Sequence, residues 1–192
     1  MKKSITMRTL LTLTVLLLML TLSCKDKASK TSTIDKTASV EKPKMDIHAA
    51  VLYNNLEVVK QHIKAGSDLN VTDAMTASTP LLTACTFNRI DIAKALINAN
   101  ADLSHKNNDG STALHSAAFF GRIEIVQLLI DAKADKTIKN NFGATPKETV
   151  MGDFSQVKPV YEMMLLQLEP MGFELDLKEV EKARPVIEMM LQ

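Results

Sequence analysis

From residue 46 onward the apolar positions fall into short bursts with helical spacing. Ile90, Ile92, Ala93, Leu96 and Ile97 return 33 residues later as Ile123, Ile125, Val126, Leu129 and Ile130. Apolar residues at i, i+3 and i+4 form one stripe of an amphipathic helix. A further copy, Leu56, Val58, Val59, His62 and Ile63, stands 34 residues before the first of these, and the extra residue falls within 71–78. His62 takes an apolar place on that stripe and is expected to mark the less buried end of the stack. A second, shorter element precedes the next copy each time. Thr79-Pro80-Leu81, Thr112-Ala113-Leu114-His115 and Thr145-Pro146 recur at spacings of 33 and 33. Thr112 and Thr145 suit a helix cap, and Pro80 and Pro146 suit a first turn. Ala84-Cys85 aligns with Ala117-Ala118, so this helix is small-sided where neighbours approach. Neither helix buries its face alone. The copies must therefore stack to make a core.

The run Asp109-Gly110-Ser111-Thr112-Ala113-Leu114-His115-Ser116-Ala117-Ala118 resembles the ankyrin repeat, and the resemblance extends over about residues 46–150. It implies an all-α ankyrin-repeat solenoid of helix-turn-helix units with hairpin loops. The units are expected at about 45–73, 74–106 and 107–139, with a partial copy at 140–152. A left-handed residue is expected after each second helix, at Gly66, Asn100 and Lys133; glycine and asparagine suit that conformation and lysine does not. His115 matches the family's structural histidine, which bonds backbone between repeats, and His48 holds the equivalent place. The resemblance also implies a binding surface on the concave face and hairpin tips. The concave positions are Leu52, Tyr53, Phe87, Phe119 and Phe120; the tips add Met75, Lys106, Asn108, Asp109 and Phe142. Tyr53, Phe87 and Phe120 form a column at spacings of 34 and 33. Exposed aromatics in a groove would make a protein-binding hot spot. The alternative is that these rings fold onto neighbouring repeats or under the C-terminal segment.

Beyond Gly152 the period fails. Lys158-Pro159-Val160-Tyr161-Glu162-Met163-Met164-Leu165 returns 26 residues later as Arg184-Pro185-Val186-Ile187-Glu188-Met189-Met190-Leu191. Each proline can open a helix at its first position. Residues 153–192 are thus expected to form degenerate helices that cap the stack, with Pro170 and Gly172 in the turn between them. Their methionines fill an irregular interface or, on a sharper reading, line a groove for a partner.

The first 23 residues differ from everything after them. Lys2, Lys3 and Arg8 precede an apolar run from Leu10 to Leu22, the layout of a secretory signal. Leu20-Thr21-Leu22-Ser23-Cys24 resembles a bacterial lipobox with Thr21 where leucine is usual. Cys24 is the expected site of lipidation, and residues 24–44 the flexible Lys/Ser/Thr-rich tether. Without the three leader cations, 20 Lys and Arg face 22 Asp and Glu. No basic face points to nucleic acid. Cys85 sits at a small core position with nothing nearby in sequence to activate it, and no histidine has metal-ligand spacing. No phosphate loop or nucleophile–base pair is present. The chain is therefore expected to bind a protein rather than catalyse, with no cofactor, metal or small-molecule substrate. Its expected place is the bacterial cell envelope, lipid-anchored and facing the periplasm, in either membrane. One expected role is capture of a partner on the concave face, as an inhibitor or toxin-immunity protein. The other is an envelope factor that holds an enzyme or complex near the membrane.

Overall fold

The computed structural model describes residues 42–192 and, among them, eight α-helices and no strand. Cys24, the leader and residues 24–41 of the tether lie outside the described residues. Three helix pairs follow one another: α1 (Ile47–Leu52) with α2 (Leu56–Lys64), α3 (Pro80–Thr86) with α4 (Ile90–Asn98), and α5 (Ala113–Phe119) with α6 (Ile123–Asp131). The capping residues set their starts. Asp46, Asn55 and Thr79 accept bonds from the backbone N–H groups of Ala49, Val58 and Leu82 at 3.0, 3.2 and 3.3 Å. Such side chains satisfy donors that the first helical turn leaves unpaired.

The pairs stack as a solenoid: α1, α3 and α5 form one row, and α2, α4 and α6 the other. The apolar stripes meet in one continuous core that includes Val59, Leu81, Ile92, Leu96, Leu114, Ile125 and Leu129. Ala84, Cys85, Ala117 and Ala118 are fully buried at the close contacts. Burial pushes the Cys85 thiol far up, so it packs as a small inert residue. The expected left-handed residues occur at Gly66, Asn100 and Lys133, with φ of 65°, 60° and 65°.

Two end effects depart from the sequence expectation. His62 does not mark an open end, for it is buried. Its Nε2 donates to the Met45 carbonyl at 2.9 Å, and its Nδ1 lies 3.0 Å from the Ser67 hydroxyl. A polar ring at an apolar position therefore ties down the chain entering the stack. The fourth copy shrinks to a single 3-10 turn, Glu148–Val150. Its cap is intact, since the Thr145 N–H donates to the Glu148 carboxylate and the Glu148 N–H to the Thr145 hydroxyl. No helix follows.

The remaining chain forms α7 (Phe154–Leu168), a 3-10 turn (Glu169–Met171) and α8 (Leu177–Met190). Gly172, at φ 78°, ends that turn in the place expected for it. The two prolines do not open these helices. Asp153 and Asp176 cap them upstream, accepting from Ser155 and Lys178 N–H at 2.9 and 2.8 Å. Pro159 and Pro185 lie inside, each exposed. A capping carboxylate outweighs the proline signal here.

Of the two helices, α8 packs on α5, α6 and the Glu148–Val150 turn at the end of the stack. Lys136 donates to the Met190 and Gln192 carbonyls, both at 3.2 Å, which satisfies the helix end. Gly121 makes room for it: at φ 70°, a Cβ there would stand 3.2 Å from the Val180 Cα. The helix α7 goes elsewhere. Its inner side packs on the concave face. The methionines divide between the two environments, with Met164 and Met190 half-buried and Met163 and Met189 exposed.

Candidate functional site: the concave face and the loop tips

The residues that end the first helices were the main candidates, and the structure separates them. Tyr53 is 77% exposed, whereas Phe87 and Phe120 are only 7% and 4% exposed. The expectation that the whole column faces solvent is therefore corrected for its last two members, and Phe119 beside them is half-covered. The cover comes from the chain itself. Phe173 packs edge-on against both Phe87 and Phe120, with centroids 5.6 and 5.3 Å away. Tyr161 stacks on Phe119 at 4.5 Å and donates its hydroxyl to the Phe119 carbonyl at 2.6 Å. Edge-to-face and offset contacts of this kind suit the ring quadrupoles. Val180 completes this second core, and Leu52 packs half-buried at its edge. Burial raises the Tyr161 phenol above its ordinary range, so it stays a neutral donor.

Three arginines, which the sequence reading passed over, hold this cover in place. Arg89 donates through Nη2 to the Leu52 carbonyl at 3.0 Å and to the Gly172 carbonyl at 3.4 Å. Arg122 repeats the device one unit on, donating to Thr86 at 3.3 Å and Glu174 at 2.9 Å. Each joins the end of a first helix to the segment between α7 and α8. Their common place, one residue after Asn88 and Gly121, was a signal in the repeat itself. The third, Arg184, is buried; it donates to the Thr149 and Met151 carbonyls and to the Tyr161 oxygen. Among the described residues none of the three pairs with a carboxylate. Burial and the nearby Arg89 push the Arg122 guanidinium down to about 10.

The loop tips behave differently. Asn108 donates from its backbone to the Thr76 carbonyl and from its side chain to the Met75 carbonyl, both at 2.9 Å. Asn141 does the same one unit later, to Asp109 and Asn108, again at 2.9 Å. Lys106 adds a bond to the Lys139 carbonyl. The first tip is braced internally by Asp73. Burial works to raise its pKa, yet donors from Thr76, Met75 and Ser78 bring it below the ordinary range. The tips thus form a hydrogen-bonded ladder with Met75 87% exposed at one end and Phe142 80% exposed at the other. Between them Lys106, Asn108 and Asp109 are exposed. So the structure brings Met75, Lys106, Asn108, Asp109 and Phe142 onto one ladder, and Leu52, Phe87, Phe119 and Phe120 under a cover.

His115 acts structurally. Its Nδ1 accepts from the Thr112 N–H and its Nε2 donates to the Ala144 carbonyl at 3.0 Å, linking its helix to the next loop. Burial is the main reason its pKa is lowered, which favours the neutral ring that this arrangement needs. His48 makes no equivalent bond. Among the described residues no cluster of His, Cys, Asp or Glu could hold a metal, and no helix is long and apolar enough to cross a membrane.

Comparison with known proteins agrees with this architecture. Residues 47–140 match the family model for ankyrin repeats, in three copies. Protein phosphatase 1 regulatory subunit 27 of Mus musculus is 45% identical over 64 residues, which is 33% of this chain and 41% of that protein. Ankyrin repeat-containing protein P1E11.10 of Schizosaccharomyces pombe is 39% identical over 80 residues, 41% of this chain and 37% of that protein. The chain thus spans about two fifths of the relatives it matches. The repeats and these relatives support a protein-interaction module.

Proposed function

From three ankyrin repeats across residues 47–140, we infer that this chain captures a partner protein at the bacterial cell envelope. In this reading lipid on Cys24 holds it at the membrane, and residues 24–44 give it reach. Two acyl chains suffice for stable anchoring. The inhibitor or immunity role follows as the specific form: a small tethered module that occupies a partner. One relative, named as a regulatory subunit of a phosphatase, supports the idea that the partner is an enzyme under control.

The observation that carries the reading is the tip ladder. Large apolar side chains at Met75 and Phe142 are held in the open by backbone that is already hydrogen-bonded. A rigid frame loses little conformational entropy on binding. Exposed Tyr53 extends the surface onto the uncovered part of the concave face.

The test uses a photoreactive residue at position 142 or 75, expressed in cells with the native leader. A single adduct is expected from both positions and none from exposed position 127 on α6. Cys24→Ser should move the protein and the adduct out of the membrane fraction. Equal cross-linking from 127, or an unchanged fractionation of Cys24→Ser, would overturn the corresponding half of the reading.

A further inference from the structure

The segment Met171–Leu177 lies across the concave face in a way that reports what this face recognises. Of its seven residues only Phe173 is buried; Leu175 and Leu177 are half-buried, and the other four are exposed. The segment is therefore a strap with one fully buried side chain. Phe173 enters a slot between Phe87 and Phe120, and the guanidinium of Arg122 lies 5.8 Å from its ring centre. On either side of it, the Gly172 and Glu174 carbonyls accept from Arg89 and Arg122. A phenylalanine flanked by two backbone carbonyls, each received by an arginine of a successive repeat, is the layout of a peptide ligand in a binding site.

The strap fits that site incompletely. The Nε donors of Arg89 and Arg122 are both buried and have no partner. A buried donor left unpaired costs free energy that a better ligand recovers. Two neighbouring guanidiniums without a carboxylate partner also leave like charges facing each other. The strap's own acids do not relieve this: Asp176 is occupied as the cap of α8. Beside the strap a cleft of about 730 Å³ remains, lined by Phe87, Arg89, Arg122, Glu174 and Leu177 among others. A carboxylate approaching edge-on pairs with Nε and Nη2 of one guanidinium together, the strong bidentate arrangement. Backbone carbonyls cannot do this.

We propose that the slot between Phe87 and Phe120, with Arg89 and Arg122, is a binding site for a peptide segment of a partner protein that carries a phenylalanine with acidic side chains near it in sequence. Residues 171–177 are its resident occupant and must leave for the partner to enter. Segments tied down by few buried contacts open most readily. The site rests on the protein-binding reading above but is separate from the tip ladder, so the two can fail independently.

The probe is a fluorescein-labelled synthetic peptide with the sequence of Met171–Leu177, both ends blocked, titrated against the full chain by anisotropy. Wild type competes through its own strap. Phe173→Ala empties the slot and should bind the peptide at least ten times more tightly. A peptide with alanine for phenylalanine should not bind, and one with amides for both acids should bind at least five times more weakly. Equal affinity of Phe173→Ala and wild type, or indifference to either peptide change, would overturn the proposal. Should Phe173→Ala not fold, wild type gives the answer by hydrogen exchange. Excess peptide should speed exchange at the Phe173, Glu174 and Leu175 amides while the repeat helices stay protected, and no change there overturns it. A concentration-dependent dimer that exchanges straps would make a second copy the occupant and would also overturn it.

Discussion

Phe120 ends a first helix and Phe142 sits at a loop tip, and both were candidates for contact with a partner. One ring is 4% exposed and the other 80%. The difference does not come from the repeats, which present the two positions alike in every copy. It comes from what lies beyond them. The concave face is within reach of forty residues that carry Tyr161, Phe173 and Val180, whereas among the described residues nothing covers Met75 or Phe142 at the tips. A position in a repeat fixes where a side chain points. Whether it meets water depends on the chain that follows.

The largest test of this contrast is Phe120→Ala. The ring touches Phe119, Tyr161 and Phe173, so its removal leaves a cavity in the second core and takes the strap's anchor with it. A loss of about 3–5 kcal/mol is expected for a buried Phe→Ala. In thermal or urea unfolding the midpoint should fall sharply. A melt within a degree or two of wild type would mean that the cover is not formed in solution, and the column would be open after all.

How far the sequence already contained this contrast can be judged residue by residue. The period of 33, the capping Thr145, the left-handed Gly66, Asn100 and Lys133, and the buried Ala84–Cys85 and Ala117–Ala118 pairs were all legible. Each depends on local chemistry that recurs in copy after copy. The path of α7 was not legible. Its inner side carries Tyr161, Met164, Leu165 and Leu168, and its outer side carries Val160, Met163 and Leu166. A helix apolar on two sides has no single stripe to orient it. The start of α7 was obscured too, because Pro159 suggested a boundary that Asp153 overrides. The arginine clasp was missed for a different reason: Arg89 and Arg122 recur with the period of the repeat, but the carbonyls they receive lie 83 and 52 residues away, so local spacing does not say what they bind. Among the site residues the tip positions are exposed, and for Phe87 and Phe120 the alternative reading, rings folded under the C-terminal segment, is the one the structure has.

A smaller effect, of opposite sign, comes from a site that belongs to neither surface. Lys133 holds φ 65° where the first unit has Gly66, and its side chain is exposed. A left-handed conformation costs an ordinary residue roughly 1 kcal/mol or more, and glycine avoids it. Glycine also gains freedom in the unfolded chain, which offsets part of the benefit. Lys133→Gly should therefore stabilise by about 0.5–1 kcal/mol in urea unfolding, with an unchanged dependence on denaturant. Combined with Phe120→Ala it should add, since no contact is shared between the two sites. A destabilised Lys133→Gly would show that the turn draws more from the lysine than its backbone strain costs.

The smallest effect on stability is the one that completes the contrast. Phe142 sits at the end of the ladder, 80% exposed. Its backbone N–H is held by the Asn140 side chain and Gly143 closes the turn onto Asn140, so the loop's bonds do not involve the ring. Phe142→Ser removes apolar surface that already faces water, and substitutions at such positions usually change stability by no more than about 0.5 kcal/mol in either direction. The melt should match wild type while photo-cross-linking through position 75 to the partner weakens, because a neighbouring contact has been lost. If Phe142→Ser instead lowers the midpoint as Phe120→Ala does, the ring packs against the protein in solution. The tips would then be a second closed surface, and partner capture would have to begin at Tyr53 or through release of the strap.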